Sequence, residues 1–138
     1  MPVQDNKNLV RRFWEEIWNQ GNMAVADEIV ASNFVLYTPN GQMNGPQGLK
    51  RWVTTVRAAS PDMQFTLDDT IAEGDKVVTR WTGRGTNTGP FAGRPPTGKQ
   101  VTLTGISIFR IENDKIVEDR LEEDVLGFMQ QIGALPHL

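Results

Sequence analysis

The sequence predicts an α+β fold with helices in its first part, long antiparallel strands in its second and a short helix at its end. Apolar residues recur with a helical period up to about residue 60, and beyond Pro61 the period changes to two. The 138 residues contain no repeat, low-complexity stretch or linker. We therefore expect residues 1–138 to form a single domain.

Three helices are predicted before Pro61. The first spans residues 8–20, where apolar residues recur at three- and four-residue steps until Gly21 ends the pattern. Asn22 can cap a second, shorter helix, with Ala26, Ile29 and Val30 on its apolar stripe. A third helix begins near residues 45–46, because proline is best tolerated at the first helical position.

Strands are predicted from apolar runs and from alternation. Residues 34–37 form a short run before a loop at 38–41, and residues 63–67 alternate between apolar and polar side chains. Longer strands follow at 77–88, 101–111 and 116–123, separated by a proline-rich loop at 89–98 and a turn at 112–115. Asp124 can then cap a closing helix over 125–132.

Composition excludes several functional classes. The absence of cysteine rules out disulfides, thiolate catalysis and cysteine-ligated metal sites. The net charge of -3 offers no field that would attract nucleic acid, and no stretch has the roughly 20 apolar residues that span a bilayer. No secretory signal is visible, so we expect a cytoplasmic protein. The only histidine, His137, is next to the C-terminus, so the commonest general base is missing from the body of the chain.

The strand over residues 101–111 has apolar side chains on both faces. Leu103 and Phe109 share one face, and Ile106 and Ile108 share the other. If helices cover one face, a second subunit can cover the other, which predicts a homodimer formed through the sheet. Alternatively, the helices reach round to cover both faces.

Five blocks of sequence resemble the SnoaL-like polyketide cyclase family, which has the nuclear-transport-factor-2-like fold. They are residues 10–21, 45–49, 93–98, 109–118 and 126–133. The resemblance spans nearly the whole chain and implies a barrel-like, cone-shaped sheet with an apolar cavity between sheet and helices. In the characterised cyclases it also implies cofactor-free aldol ring closure on an aromatic polyketide precursor, and so no cofactor and no metal.

The family's catalytic pair does not carry over to this chain. In those cyclases an aspartate on the last strand and a histidine on the preceding strand exchange protons with the substrate; the matching positions here are Leu121 and Ser107. The related limonene epoxide hydrolases need an aspartate at the position of Leu121, so that reaction is disfavoured as well. Isomerisation of the steroid isomerase kind needs only one cavity carboxylate and a hydrogen-bond donor, and is not excluded.

Two carboxylates are candidates for the missing acid–base group. If the last strand alternates regularly, Asp119 and Glu123 point to the same side as Leu121, where an apolar cavity would raise their pKa values. Alternatively, residues 118–124 are a solvated acidic strand end. A hydroxyl donor for a substrate carbonyl could come from Tyr37 or Ser107, although Tyr37 could equally be a half-buried core residue.

The remaining candidates would line the pocket. They are Trp14, Trp18, Trp52, Trp81, Phe65, Leu103, Leu121 and Asn87. Aromatic residues at helical spacing are commonly core, but in a cone the core also forms the pocket wall. Arg80 and Arg84 could grip an anionic group or pair with acidic residues on the outer sheet face. We expect the pocket to bind a small apolar or aromatic molecule. The protein is then either an acid–base catalyst or a binding module without catalytic activity.

Overall fold

The computed structural model describes residues 2–136. Met1, His137 and Leu138 lie outside the described residues, and His137 is the only histidine of the chain.

Helices occupy the N-terminal part of the chain and its end. The helices are α1 (Val3–Arg12), α2 (Met23–Ile29), α3 (Gly45–Ala59) and α4 (Val125–Gln131), and α1 runs without a break into a π-helical segment, Phe13–Asn19. Two residues after the end of this segment lies Gly21, whose positive φ of 69° suits glycine. Asp124 caps α4 as predicted, because its Oδ1 accepts a hydrogen bond of 2.8 Å from the Gly127 backbone N–H. Asn22 precedes α2 without a side-chain cap.

Six strands form one open sheet. The strands are β1 (Val30–Thr38), β2 (Gly41–Asn44), β3 (Gln64–Glu73), β4 (Lys76–Thr86), β5 (Gln100–Glu112) and β6 (Lys115–Glu123). Their order across the sheet is β2-β1-β6-β5-β4-β3. Strands β3 to β6 form the antiparallel meander that the sequence predicts, and β2 and β3 are the sheet edges. The α+β fold class with three N-terminal helices and a short C-terminal helix is confirmed.

The sheet departs from the prediction at its β1 end. Strand β1 pairs with β6 in parallel, with Leu36 opposite Asp119, so the sheet is mixed and not wholly antiparallel. Strand β2 was not predicted; it is a four-residue hairpin partner of β1 that follows directly after the loop. Val30, predicted as part of the second helix, is the first residue of β1.

The inner face of the sheet packs against the helices. Phe34 and Leu36 of β1, Val77 and Trp81 of β4 and Phe109 of β5 are all buried there. The helical side of the core comes from the π-helical segment, α2 and α3, with Val10 of α1. No helix within residues 2–136 is long and apolar enough to cross a membrane.

Candidate functional site

A cavity of about 380 Å³ lies between the inner sheet face and the helices. Its wall is almost entirely apolar, and its few polar groups come from Asn40, Thr55, Ser60, Asp119 and Glu123. The apolar part of the wall consists of Trp14, Trp18, Leu36, Trp52, Val56, Ala59, Met63, Phe65, Trp81, Phe91, Ala92, Leu103, Leu121, Val125, Phe128 and Met129. A cavity of this size and composition suits a small, largely apolar molecule.

Four aromatic rings form a continuous wall on one side of the cavity. The Trp14 ring centroid lies 6.2 Å from that of Trp18, 5.3 Å from that of Phe65 and 5.3 Å from that of Trp81. Trp14 and Trp18 stand on the same side of the π-helical segment, with their ring planes 29° apart. A π-helical turn is rare and often occurs at functional sites, and here it brings two indole rings to the cavity.

Trp81 reaches across β5 because the neighbouring strand has no side chain in its way. It is paired with Gly105, where an added Cβ would lie only 2.4 Å from the indole Cζ2. The indole Nε1 donates a hydrogen bond of 3.3 Å to the Ser107 hydroxyl. Trp81 therefore anchors Ser107 while forming part of the wall.

Asp119 places a carboxyl group in the cavity wall. It lies in the middle of β6, between Phe109 of β5 and Leu36 of β1, and only 3 % of its surface is exposed. Its Oδ1 atom is buried and has no hydrogen-bond partner among the described residues. A buried acceptor without a partner is costly, so the carboxyl favours its neutral form or a ligand that satisfies it.

Burial raises the pKa of Asp119 to about 8, because an apolar environment disfavours the charged carboxylate. The Ser107 hydroxyl acts in the opposite direction, since hydrogen bonding to the ionised carboxyl lowers its pKa, and the charge of Glu123 raises it again. At neutral pH most molecules therefore hold a proton on Asp119.

Glu123 is a second carboxyl in the wall, four residues further along the same face of β6. Burial raises its pKa to about 7, with a smaller contribution from the charge of Glu122. Glu123 is only partly buried, whereas Asp119 is enclosed. Asp119 is therefore the inner of the two carboxyls, and Glu123 is the one that solvent reaches.

The structure brings most of the predicted residues to one cavity. Trp14, Trp18, Trp52, Trp81, Phe65, Leu103, Leu121, Asp119 and Glu123 all lie in its wall. The side chains of Glu118, Arg120 and Glu122 point the other way, in agreement with the predicted alternation along β6. Ser107 is fully buried behind the wall and does not line the cavity. Its hydroxyl accepts a hydrogen bond from the Trp81 indole and lies next to the Asp119 carboxyl.

Tyr37 is not part of the cavity, and a role as donor to a substrate carbonyl does not fit this geometry. Leu36 points inward, so the next residue of the strand points outward. There the Tyr37 ring lies under the guanidinium of Arg120, whose Cζ is 4.2 Å from the ring centroid. The phenol therefore belongs to the outer sheet face.

Asn87 is buried but fixes a loop instead of lining the cavity. Its Oδ1 accepts hydrogen bonds of 3.0 Å from both the backbone N–H and the hydroxyl of Thr97, and its Nδ2 donates to the Gly89 carbonyl at 2.9 Å. These bonds hold the base of the loop at residues 87–99, which supplies Phe91 and Ala92 to the wall. The prediction that Asn87 lines the pocket is therefore wrong in detail.

Arg80 and Arg84 also lie outside the cavity wall. Arg80 forms an ion pair with Asp69 on the outer face, with 2.7 Å between the Arg80 Nε and the Asp69 Oδ2. This agrees with the interpretation that Arg80 pairs with an acidic residue and does not bind a ligand. Arg84 is exposed on the same face. Neither can grip a ligand in the cavity.

The prediction missed a large part of the wall. Residues of α3, of α4 and of the loop at 87–99 contribute Val56, Ala59, Phe91, Phe128 and Met129, among others. Phe91 and Phe128 meet edge to face, with ring centroids 5.5 Å apart. The apolar side chains in these segments are a signal in the sequence that the residues are buried. Which cavity they face, however, depends on tertiary packing. Within residues 2–136 no three His, Cys, Asp or Glu side chains are grouped closely enough to hold a metal ion.

Several solved structures have the same architecture. A candidate SnoaL-like polyketide cyclase from Jannaschia sp. CCS1 superposes with a TM-score of 0.90 at 26% identity, over 99% of this chain and 97% of that one. TsrD from Streptomyces laurentii gives 0.87 at 29% identity, over 98% and 99%. A candidate polyketide cyclase from Acidithiobacillus ferrooxidans gives 0.84 at 29%, over 96% and 97%.

Sequence comparison agrees with these structures. None of the curated proteins matches the chain significantly. The family model for the SnoaL-like polyketide cyclases matches residues 8–132, which is most of the chain. With the cone-like fold and its apolar cavity in place, this match shows that the chain belongs to the SnoaL-like polyketide cyclase family.

Proposed function

We propose that the protein binds a small, largely apolar, carbonyl-bearing molecule and catalyses its cofactor-free cyclisation or isomerisation by proton transfer at Asp119. The observation that carries this proposal is the Asp119 carboxyl itself, which is 3 % exposed, lies in the cavity wall and has an Oδ1 without a partner among the described residues. A catalytic acid or base works best when its pKa is close to the working pH, and that of Asp119 is raised to about 8.

The reaction needs one group that takes a proton and returns it. The ionised Asp119 carboxylate removes a proton from a carbon next to the substrate carbonyl, and the electron pair of the C–H bond becomes an enolate. In an isomerisation the carboxylic acid returns the proton to another carbon of the conjugated system. In a cyclisation the enolate carbon bonds to a second carbonyl carbon, and the acid protonates the resulting alkoxide.

The neighbours of Asp119 support this role. Ser107, held by the Trp81 indole, is the positioning residue that orients the carboxyl. Glu123 is partly exposed and its pKa is raised to about 7, so it can exchange protons between the cavity and solvent. We assign no part of the reaction to Tyr37.

In this proposal Asp119 replaces the family's last-strand aspartate, whose position is taken by Leu121. The two residues share one face of β6 and are two positions apart, a separation of about 7 Å along the strand. Ser107, at the position of the family's histidine, is the direct cross-strand partner of Leu121. The acid–base group has therefore moved by one inward-facing position.

The first test is hydrogen–deuterium exchange at the carbon next to a ketone, which requires no knowledge of the natural substrate. With 2-tetralone in D₂O, the wild-type protein should accelerate exchange over buffer, as measured by proton NMR. Asp119→Asn keeps the shape of the side chain but cannot accept the proton, so it should lose at least about 100-fold of the enzymatic rate.

Glu118→Gln is the matched control, because Glu118 is the neighbouring carboxylate on the outer face of the same strand. It should exchange the ketone at the wild-type rate. The proposal fails if the wild type does not exceed buffer, or if Asp119→Asn exchanges as fast as the wild type.

The alternative is a binding module that has kept the cavity and lost the chemistry. The observation in its favour is the apolar Leu121 at the position of the family's aspartate. A module of this kind would bind 2-tetralone and gain thermal stability from it, without accelerating exchange. The same ketone therefore distinguishes the two functions.

We further propose that the protein is a homodimer formed through the outer sheet face. Ile71, Ile106 and Ile108 are 64%, 46% and 40% exposed there. The cross-strand pairs Ile71 with Val78 and Val78 with Ile108 form a continuous apolar row, and Ile106 lies two residues before Ile108 on the same face of β5. Large side chains exposed next to one another are typical of an association surface.

A further inference from the structure

The charged side chains of the cavity wall, among the described residues, are all acidic. Two carboxyl groups, those of Asp119 and Glu123, lie in the wall, and no arginine or lysine does so among the described residues. Arg57, which lies close to the aromatic side of the cavity, is turned to the backbone carbonyls of Trp18 and Asn19 and is not a wall residue. Within residues 2–136, therefore, no cationic side chain balances these carboxylates inside the cavity.

An unbalanced buried carboxyl has two ways to be satisfied. It can hold a proton, or it can meet a positive charge that enters with a ligand, because a bare buried charge is very costly. Asp119 lines the cavity, and its buried Oδ1 has no hydrogen-bond partner among the described residues, so this carboxyl has the most to gain from such a charge. Glu123, on the same face of β6, adds a second acceptor nearer to solvent.

Aromatic rings line the same cavity as these two carboxyl groups. One group is the wall of Trp14, Trp18, Phe65 and Trp81, and a second is the pair of Phe91 and Phe128. Trp52 of α3 lines a further part of the wall. The electron-rich face of an aromatic ring attracts a cation, most strongly for tryptophan and in a desolvated site.

The register brings one of these rings close to the carboxyl groups. Trp81 crosses β5 over Gly105, and Gly105 is the cross-strand partner of Glu123. The same indole donates a hydrogen bond to the hydroxyl of Ser107, which lies next to Asp119. The ring therefore lies over the part of β5 that pairs with Leu121 and Glu123 of β6.

From these observations we propose that the ligand of this cavity is an apolar molecule carrying a protonated or quaternary amine, with its positive nitrogen between Asp119, Glu123 and the tryptophan rings. This inference rests on the proposed small-molecule cavity but not on its catalytic activity. A cationic ligand would also leave Asp119 ionised at neutral pH, which is the form that can act as a base.

Cation binding should release a proton. The titratable groups that face Asp119 and Glu123 in the wall are these two carboxyls themselves; the elements packed against them, β1, β5, α4 and the π-helical segment, contribute apolar, hydroxyl or amide groups. Glu122 acts on Glu123 from the outer face. Since Asp119 holds a proton below about pH 8, a bound cation must displace it.

The experiment compares phenyltrimethylammonium with its neutral carbon isostere, tert-butylbenzene, by quenching of tryptophan fluorescence. The cation should bind at least about tenfold more tightly above pH 8, because the two molecules have the same shape and differ only in charge. At pH 7 its binding should release about one proton, detected with an indicator dye in weak buffer, and tert-butylbenzene should release none.

Variants identify the groups responsible. Asp119→Asn combined with Glu123→Gln should abolish proton release and reduce the preference for the cation by at least about tenfold, since the acceptors become neutral. Circular dichroism checks that this double variant is folded. Glu118→Gln removes a carboxylate from the outer face only and should keep both effects.

Three results would overturn the inference. The first is equal binding of the two probes, the second is a cation preference that survives in the double variant, and the third is binding of neither probe. Binding of tert-butylbenzene alone, with exchange of 2-tetralone intact, would reject the cationic ligand while leaving the proposed function in place. Binding of neither probe and no exchange would remove both.

Discussion

At the scale of single residues, its surroundings distinguish one carboxyl of β6 from its neighbours. Asp119 lies between two buried apolar neighbours, Leu36 and Phe109, and this desolvation is the main cause of its raised pKa. The preceding residue, Glu118, points to the outer face, where its carboxylate pairs with the Arg120 guanidinium at 3.2 Å. Strand alternation is thus what separates a desolvated carboxyl from an ion-paired one.

The raised pKa of Asp119 predicts an unusual dependence of stability on pH. Its folded-state pKa of about 8 lies above the unfolded value of about 4, so between these values the folded state binds the extra proton. The free energy of unfolding should therefore fall as the pH rises from about 4 to about 8. In Asp119→Asn the part of this loss that Asp119 causes should be absent, and the smaller part from Glu123, whose pKa is raised to about 7, should remain. From pH 5 to pH 9 the variant should therefore lose less stability than the wild type, by on the order of a few kcal/mol.

Urea denaturation at pH 5, 7 and 9 measures this difference. Glu118→Gln should follow the wild type, because Glu118 is not buried. Identical pH profiles for Asp119→Asn and the wild type would mean that the Asp119 carboxyl has an ordinary pKa in the folded protein.

The residue-scale predictions from the sequence depend on strand register. Alternation counted from Leu121 puts Asp119 and Glu123 on its side, and the structure has them there because β6 is regular in that part. The place of Tyr37 at the end of an apolar run suggests a role in the site, but the run does not identify the inward-facing residue. Leu36 is the inward residue, and Tyr37 stacks on Arg120 instead.

At the scale of elements, the loop at residues 87–99 completes the cavity without regular secondary structure. Its base is fixed by Asn87, and the Gly89 N–H donates a hydrogen bond of 3.0 Å to the Ala59 carbonyl at the end of α3. A Cβ at Gly89 would lie 2.0 Å from the Ala58 carbonyl oxygen, so this contact requires glycine. The loop is therefore held against α3 at one end and against α4 by Phe91.

Replacing Asn87 should loosen this loop. Asn87→Ala removes the acceptor for two Thr97 bonds and the donor to Gly89, and leaves partly buried backbone groups of these two residues without their partner. We expect a loss of about 1–3 kcal/mol in the free energy of unfolding and faster proteolytic cleavage within the loop. Thermal denaturation and limited proteolysis measure these effects.

Thr88→Ala is the control for this substitution, because the Thr88 side chain is exposed and makes no hydrogen bond within the described residues. It should leave stability and cleavage unchanged. If Asn87→Ala behaves in the same way, the Asn87 side chain does not fix the loop.

The elements that the sequence does not predict all depend on long-range pairing or on a local irregularity. Local periodicity cannot tell which strand will lie beside β1, so its parallel pairing with β6 is invisible in the sequence. The four residues of β2 are too few to show alternation. The π-helical segment carries the same apolar spacing as an α-helix, and so its residues are predicted as one.

At the scale of the whole molecule, the proposed dimer leads to a prediction about its surface. Ile106→Lys combined with Ile108→Lys places two charges on the exposed apolar row, and a buried charge without a partner opposes association. Sedimentation should give twice the mass of one chain for the wild type and a single chain for this variant. The inner face is unaffected, so ligand binding should persist.

Val3→Lys is the matched control, because Val3 is similarly exposed on α1, away from the sheet face. It should sediment as the wild type does. A wild-type protein that sediments as a single chain at a concentration on the order of 100 μM would reject the dimer.

The overall architecture is predictable because the change from helical to alternating periodicity can be recognised within short stretches of the sequence. The order of helices, meander and closing helix follows from it, and five blocks of sequence connect that order to the family. The cavity is predictable only as a consequence of the fold. The residues of its wall, including Asp119 with its unpartnered Oδ1, are determined by contacts between residues far apart in sequence.

Gly105 determines how much room the cavity has beside the last strand. A methyl group there would lie 2.4 Å from the Trp81 indole Cζ2 and 2.8 Å from the Glu122 carbonyl oxygen. A larger residue at position 105 would therefore force the indole toward the helices. The space open to a ligand at this point thus depends on residues 81 and 105 together.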